Sequence, residues 1–144
     1  MKRRARAKRG SGDEQASKQS IVAFCCENSG YKAAESVRGH AALAPVRLVK
    51  VPCAGKVEIV EILKCFEAGA EHVLVVGCPL DNCKHINGSR RAAKRVAVAR
   101  KALKDAGLDE QRARMEFVAS IDGAGLIRVL ETLRSAATQE RVQT

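Results

Sequence analysis

Apolar runs alternate with helically spaced segments along this chain. Ser20–Cys26 (SIVAFCC), Arg47–Cys53 (RLVKVPC) and His72–Cys78 (HVLVVGC) predict three β-strands, and Met115–Ser120 predicts a fourth. Helical spacing covers about Tyr31–His40, Val57–Ala68, Ser89–Ala106 and Ala124–Ala137, with Gly69 and Gly107 as stops after the second and third. In the second helix, Val57, Val60 and Leu63, with Ile59, Ile62 and Phe66, are the candidates to face the sheet. Val73 to Val76 is uninterrupted apolar sequence, the mark of a strand covered on both faces, so it should be central. The order βαβαβαβα implies right-handed crossovers. The expected fold is α/β: a small open parallel four-stranded sheet flanked by helices, flavodoxin-like. Between the third strand and third helix, residues 77–88 (GCPLDNCKHING) hold too many turn formers for regular structure and predict a loop.

Five of the six cysteines fall where predicted strands end: Cys25 and Cys26, Cys53, and Cys78 with Cys83. Ligands of open parallel sheets bind beyond the carboxyl ends of the strands. Thiolates gathered there suit an iron-sulfur cluster, zinc or thiol redox chemistry. The C-x4-C spacing of Cys78 and Cys83 lets a loop wrap an inorganic core and recurs within plant-type 2Fe-2S ligation, although the full plant-type motif is absent. Cys53 follows Pro52, whose fixed φ aims the strand exit reproducibly. Cys25 and Cys26 are adjacent, so in a continuing strand they point to opposite faces and one of them would reach the edge site, the other being core, a support beside the site, or a further ligand if the strand ends early. Cys65 lies inside a predicted helix and reads as a small buried apolar residue. His85 could hydrogen-bond a cluster sulfur, replace a thiolate as in Rieske centres, or sit in solvent as an ordinary loop histidine. His40 and His72 have no metal-ligand spacing.

With 144 residues the chain is one domain by length, and one Tyr, three Phe and no Trp leave the core to Val, Leu, Ile and Ala. No apolar run approaches the ~18 residues of a membrane span, and no stretch resembles a signal peptide. The reducing cytoplasm is therefore expected, where clustered cysteines bind metals or act as catalysts. The net charge is +10, and Lys2, Arg3, Arg4, Arg6, Lys8, Arg9 and Lys18 against Asp13 and Glu14 concentrate half of the excess at the start. This predicts a disordered basic tail over 1–19, a domain over 20–137 and a flexible C-terminus over 138–144. A second basic stretch, Arg90, Arg91, Lys94, Arg95, Arg100, Lys101 and Lys104, lies on one predicted helix. It reads as a solvated face or a surface for an acidic protein, and the lack of stacking aromatics argues against nucleic acid. No G-x-G-x-x-G, P-loop or nucleophile elbow supports nucleotide binding or hydrolase chemistry.

Two other classes compete with an iron-sulfur site. In a thiol/disulfide protein, Cys78 and Cys83 would cycle between dithiol and disulfide without iron. A structural zinc domain would usually show C-x2-C pairs, which are absent. Across Ser20 to about Ser135 the chain resembles the delta-subunit family of the methyl-viologen-reducing hydrogenase, small iron-sulfur proteins associated with heterodisulfide reductase. The matching stretches are IVAFCC, VRLVKVPCAGKVE, ILKCFEAGAEHVLVVGC and CPLDNCKHINGSRRAAKRV. The resemblance implies a 2Fe-2S cluster held by four of Cys25, Cys26, Cys53, Cys78 and Cys83. It also implies electron relay between a hydrogenase or dehydrogenase and a heterodisulfide reductase A-like flavoprotein, so the chain by itself is a relay rather than an enzyme. Two positions depart from that pattern: Ser29 stands where the family has a further cysteine, and Pro79 where a histidine commonly follows the cysteine.

Overall fold

The structure is a computed structural model that describes residues 21–80, 83 and 86–143. The expected tail over 1–19 and His85 lie outside the described residues. Strand β1 (Ile21–Cys26) leads to helix α1 (Gly30–Ser36), and β2 (Val46–Val51) to α2 (Ile59–Glu67). Strand β3 (His72–Gly77) leads to α3 (Gly88–Asp105), and β4 (Ala113–Phe117) to α4 (Gly123–Gln143). The four strands pair in parallel in the order β2-β1-β3-β4, so the α/β reading holds. Both β1 and β3 are interior, and every residue of β3 is buried, as its continuous apolar run requires.

The pleat of the two inner strands sends alternate side chains into two separate cores. Ile21, Ala23, Cys25, Leu74 and Val76 pack with Ala33 and Ala34 of α1 and Leu126, Leu130 and Leu133 of α4. Phe24, Val73 and Val75 pack on the other face with Ile62 of α2 and Ala92, Val96, Ala99 and Leu103 of α3. Alanine recurs at these helix contacts and allows close approach to the sheet, which suits a chain so poor in aromatics. Among the described residues, no helix is long and apolar enough to cross a membrane.

Several boundaries differ from expectation for local reasons. Helix α1 stops at Ser36, and the chain turns through Gly39 at φ +91°. His40 then caps the next turn, its Nδ1 accepting from the Ala42 N–H at 3.0 Å. Helix α2 begins at Ile59, where the Glu61 carboxylate accepts the Glu58 N–H at 3.1 Å, so Val57 is buried in the preceding turn. At 3.6 residues per turn Ile59, Ile62, Leu63 and Phe66 share one face, which packs on the core, and Val60 falls outside it at 55% exposed, contrary to the expected face. Strand β4 starts at Ala113, not Met115, because pairing with β3 begins at Val73↔Ala113. Arg114 and Glu116 obscure that start in the sequence, and the two side chains meet at 3.6 Å. Helix α4 continues beyond Ala137 to Gln143, through a segment without Gly or Pro.

His72 begins β3 at the end of the sheet opposite the cysteines. It is buried, and neither ring nitrogen has a hydrogen-bond partner among the described residues. Burial lowers its pKa below the ordinary imidazole value of 6.5, helped by the Arg112 guanidinium. The folded protein therefore binds fewer protons here than the unfolded chain. The stability contribution is intact above pH 6.5 and is lost as pH falls toward the depressed value. Melting temperature should drop between pH 7 and pH 5.5 in the native chain, and His72→Leu should flatten part of that slope. Equal slopes in the two proteins would remove His72 as the cause.

Candidate metal centre

The strand order places a crevice at the carboxyl edge. The helix after β1 packs on one face of the sheet and the helix after β3 on the other, so the connections diverge between these neighbouring strands. Cys26 ends β1, and Cys78 follows Gly77 at the end of β3. Their Sγ atoms lie 3.8 Å apart. A disulfide would need about 2.05 Å, whereas two thiolates on one tetrahedral metal, with metal–sulfur bonds of about 2.3 Å, sit about 3.8 Å apart. Cys26 Sγ also lies 4.0 Å from the carbonyl oxygen of Pro52, the residue that leads into Cys53. The exits of β2, β1 and β3 thus bring Cys53, Cys26 and Cys78 to one edge. They are only 6%, 1% and 5% exposed. Cys83 is half-buried.

The other two cysteines are placed differently. Cys25 points to the opposite face, within the core formed with α1 and α4, where its Sγ lies 3.8 Å from the Ala23 carbonyl oxygen. Burial, then the neighbouring Cys26 thiol, pushes its pKa up to about 12, so it stays protonated at neutral pH. Cys65, on α2, lines a small cavity of about 180 Å³ with Val22, Phe24, Arg47, Val49, Ala68 and Ala70, and burial raises its pKa. None of the six cysteines is joined in a disulfide.

The backbone beneath the edge is held by residues that motif reading passes over. The Ser89 hydroxyl donates to the Cys78 carbonyl at 2.7 Å, tying the end of β3 to the first turn of α3. Gly77 must be glycine for space, since a Cβ there would sit 2.7 Å from Ser89 Oγ and 3.2 Å from the Ala54 Cβ. The turn after Cys53 presses on α3 in the same way: a Cβ on Gly55 would meet the Gly88 backbone at 3.0 Å. Arg95 clamps that turn from α3, donating through Nη1 to the Gly55 and Val57 carbonyls, the latter at 3.1 Å, while Nη2 lies 3.6 Å from Glu58. The Gly55 N–H in turn donates to Cys53 Sγ at 3.4 Å. A basic run alone does not distinguish Arg95, which turns inward, from the exposed cations beside it.

The donor chemistry fits a thiophilic metal group. One further observation points to a missing acceptor: Ser29, three residues after Cys26, is 2% exposed, and its hydroxyl has no hydrogen-bond partner among the described residues. It does not cap α1. Among the described residues, no three Cys, His, Asp or Glu side chains are yet gathered closely enough to hold a metal ion.

Comparisons with known proteins point to the same chemistry. A profile of the family described as methyl-viologen-reducing hydrogenase, delta subunit, matches residues 21–139. The vhu iron-sulfur protein of the F420-non-reducing hydrogenase from Methanopyrus kandleri is 32% identical over 121 residues, 83% of this chain and 92% of the relative. The protein of the same description from Methanocaldococcus jannaschii is 36% identical over 105 residues, 71% of this chain and 78% of the relative. The A-type component of the ferredoxin/F(420)H(2)-dependent CoB-CoM heterodisulfide reductase of Methanosarcina acetivorans is 31% identical over 105 residues, which are 72% of this chain and 13% of that longer protein.

The 3.8 Å separation yields a direct test on the metal-free chain. Mild oxidation with diamide should join Cys26 to Cys78, identified by peptide mass spectrometry, and leave Cys25 and Cys65 as thiols. A dominant bond between any other two cysteines would contradict this geometry.

Proposed function

The chain belongs to the methyl-viologen-reducing hydrogenase delta-subunit family, and from that premise we propose that it is an electron-transfer protein carrying one 2Fe-2S cluster. The proposed ligands are Cys26, Cys53, Cys78 and Cys83, with Cys25 left in the core. The carrying observation is the thiol pair of Cys26 and Cys78, 3.8 Å apart across the divergence of β1 and β3. We further propose that it relays electrons between a hydrogenase or dehydrogenase and a heterodisulfide reductase A-like flavoprotein, in the reducing cytoplasm. The homologous segment inside the Methanosarcina acetivorans reductase supports that partner, since 105 residues like these form part of the larger protein.

When bound, the cluster supplies a one-electron couple that transfers no atom. The chain's own part is to hold four thiolates and to exclude water. Burial of Cys26, Cys53 and Cys78 shields the sulfurs, while half-buried Cys83 marks the side nearest solvent. Helix α3 starts just past this loop with no acidic residue in its first turn, so its positive end favours negative charge at the edge. Gly77, Ser89 and Arg95 hold two of the ligand-bearing turns against one helix, which limits reorganisation on electron transfer.

Anaerobically reconstituted protein should contain two iron and two acid-labile sulfide per chain and show a paramagnetic signal on reduction. Cys26→Ser, Cys53→Ser, Cys78→Ser and Cys83→Ser should each lose or strongly perturb the cluster, whereas Cys25→Ala and Cys65→Ala should keep it. Stoichiometric zinc without sulfide would overturn the proposal, and retention of a normal spectrum by Cys78→Ser would overturn the ligand set.

Ser29 has opposite consequences in the two forms. An unsatisfied buried hydroxyl costs about 1–3 kcal/mol, so Ser29→Ala should leave the metal-free chain equally or more stable, by up to about 1 kcal/mol. In the loaded protein, where the hydroxyl gains an acceptor, the same substitution should lower the midpoint potential. A loss of stability in the metal-free chain with no change in potential would show that the hydroxyl serves packing alone.

A further inference from the structure

A groove opens beside the proposed cluster edge, lined by Leu80, Asn87, Arg90, Arg91, Lys94 and Phe117. Leu80 lies two residues past Cys78, within the ligand loop, and Phe117 pairs with Gly77 at the end of β3. Both flank the exit of the same strand, and both are exposed at about two-fifths of their surface, 41% and 42%. Ile86, at the foot of the same loop, is 78% exposed and held at φ +57°, a conformation that β-branched residues rarely adopt. Large apolar side chains thus face solvent on both sides of the cysteine edge.

Among the described residues, the charged side chains that line the groove are all cationic. Arg90 and Arg91 stand in the first turn of α3 and Lys94 in the next, and among the described residues no acidic side chain lines the groove. Cations are unfavourable at a helix amino end, where the dipole is already positive. Arg95, by contrast, is engaged by the Cys53 turn and by Glu58. No ion pair to Arg90, Arg91 or Lys94 is formed among the described residues. Local helix stability does not account for three outward cations at that end. An acidic surface brought against them would relieve both the dipole conflict and their mutual repulsion.

We infer that this groove is the docking surface for a partner protein that presents apolar residues ringed by Asp and Glu. The inference rests on the iron-sulfur reading of the adjacent edge and adds where the electron-transfer partner sits. Leu80 and Phe117 form the apolar centre, and Arg90, Arg91 and Lys94 form the charged rim that orients approach and speeds encounter. A partner seated there lies beside the end of β3 that carries Cys78, which keeps the transfer path short.

The test uses the full cluster-loaded chain and a purified heterodisulfide reductase A-type flavoprotein, with affinity measured at low and at high salt. Arg91→Glu with Lys94→Glu reverses two rim charges. Lys101→Glu with Lys104→Glu reverses two exposed charges further along the same helix, as a matched control. The rim pair should weaken binding about tenfold or more at low salt, with the difference shrinking at high salt, while the control pair changes it by no more than about twofold. Phe117→Ser should weaken binding at both salt concentrations, because apolar burial is not screened. Iron content and midpoint potential should be unchanged in all three variants. Equal losses in the two charge pairs would overturn the groove while leaving the cluster reading intact. So would a shifted potential with unchanged affinity, or a rim-dependent affinity for duplex DNA in place of the flavoprotein. A loaded native chain with no affinity for the flavoprotein would overturn the partner reading, and the groove with it.

Discussion

In a parallel sheet ordered β2-β1-β3-β4, the chain must leave β1 toward one face and β3 toward the other. The two strand ends are neighbours, yet their connections lead to opposite faces of the sheet. Backbone groups and side chains at those ends are left facing a crevice. Every placement at the cysteine edge depends on this reversal. It brings Cys26 and Cys78, 52 positions apart in sequence, to 3.8 Å. It also lays the exit of β2 beside the same point, because β2 pairs with β1 on its other side.

Close packing under the edge turns proximity into a defined site. Cys53 and Cys78 belong to different turns, and both turns are pressed against the start of α3 with no room for a side chain at Gly55 or Gly77. Ser89 and Arg95 fix the two turns by hydrogen bonds to their carbonyls. A helix with this double role cannot shift without moving both cysteines. The same helix start carries the outward cations of the adjoining groove, so the support for the ligands and the proposed partner surface are two sides of one element.

The adjacent pair shows how the pleat assigns chemistry. Consecutive residues in a strand face opposite layers, and here one layer is a closed core with α1 and α4 while the other opens at the crevice. Cys25 consequently meets alanine and leucine and holds its proton, whereas Cys26 meets another sulfur. Two chemically identical side chains acquire different environments from a single step along the backbone.

Apolar runs and helical periodicity were enough to define four strands, four helices and a parallel sheet, because each pattern reports which side of a local element meets the core. The cysteines at three strand exits, and the resemblance carried by their surrounding motifs, were legible for the same reason: strand ends are local features. Helix phase was less so, as Val60 illustrates: apolar residues stand on more than one side of α2, and packing against the sheet decides that Ile59, Ile62, Leu63 and Phe66 form the buried face. The early start of β4 was hidden because Arg114 and Glu116 mask an edge strand whose bounds follow from pairing with β3. Which cysteines meet, which serine hydroxyl has no partner among the described residues, and which arginine turns inward were decided only by the tertiary structure. These depend on strand order and on distances between segments far apart in sequence, and neither is encoded in local periodicity.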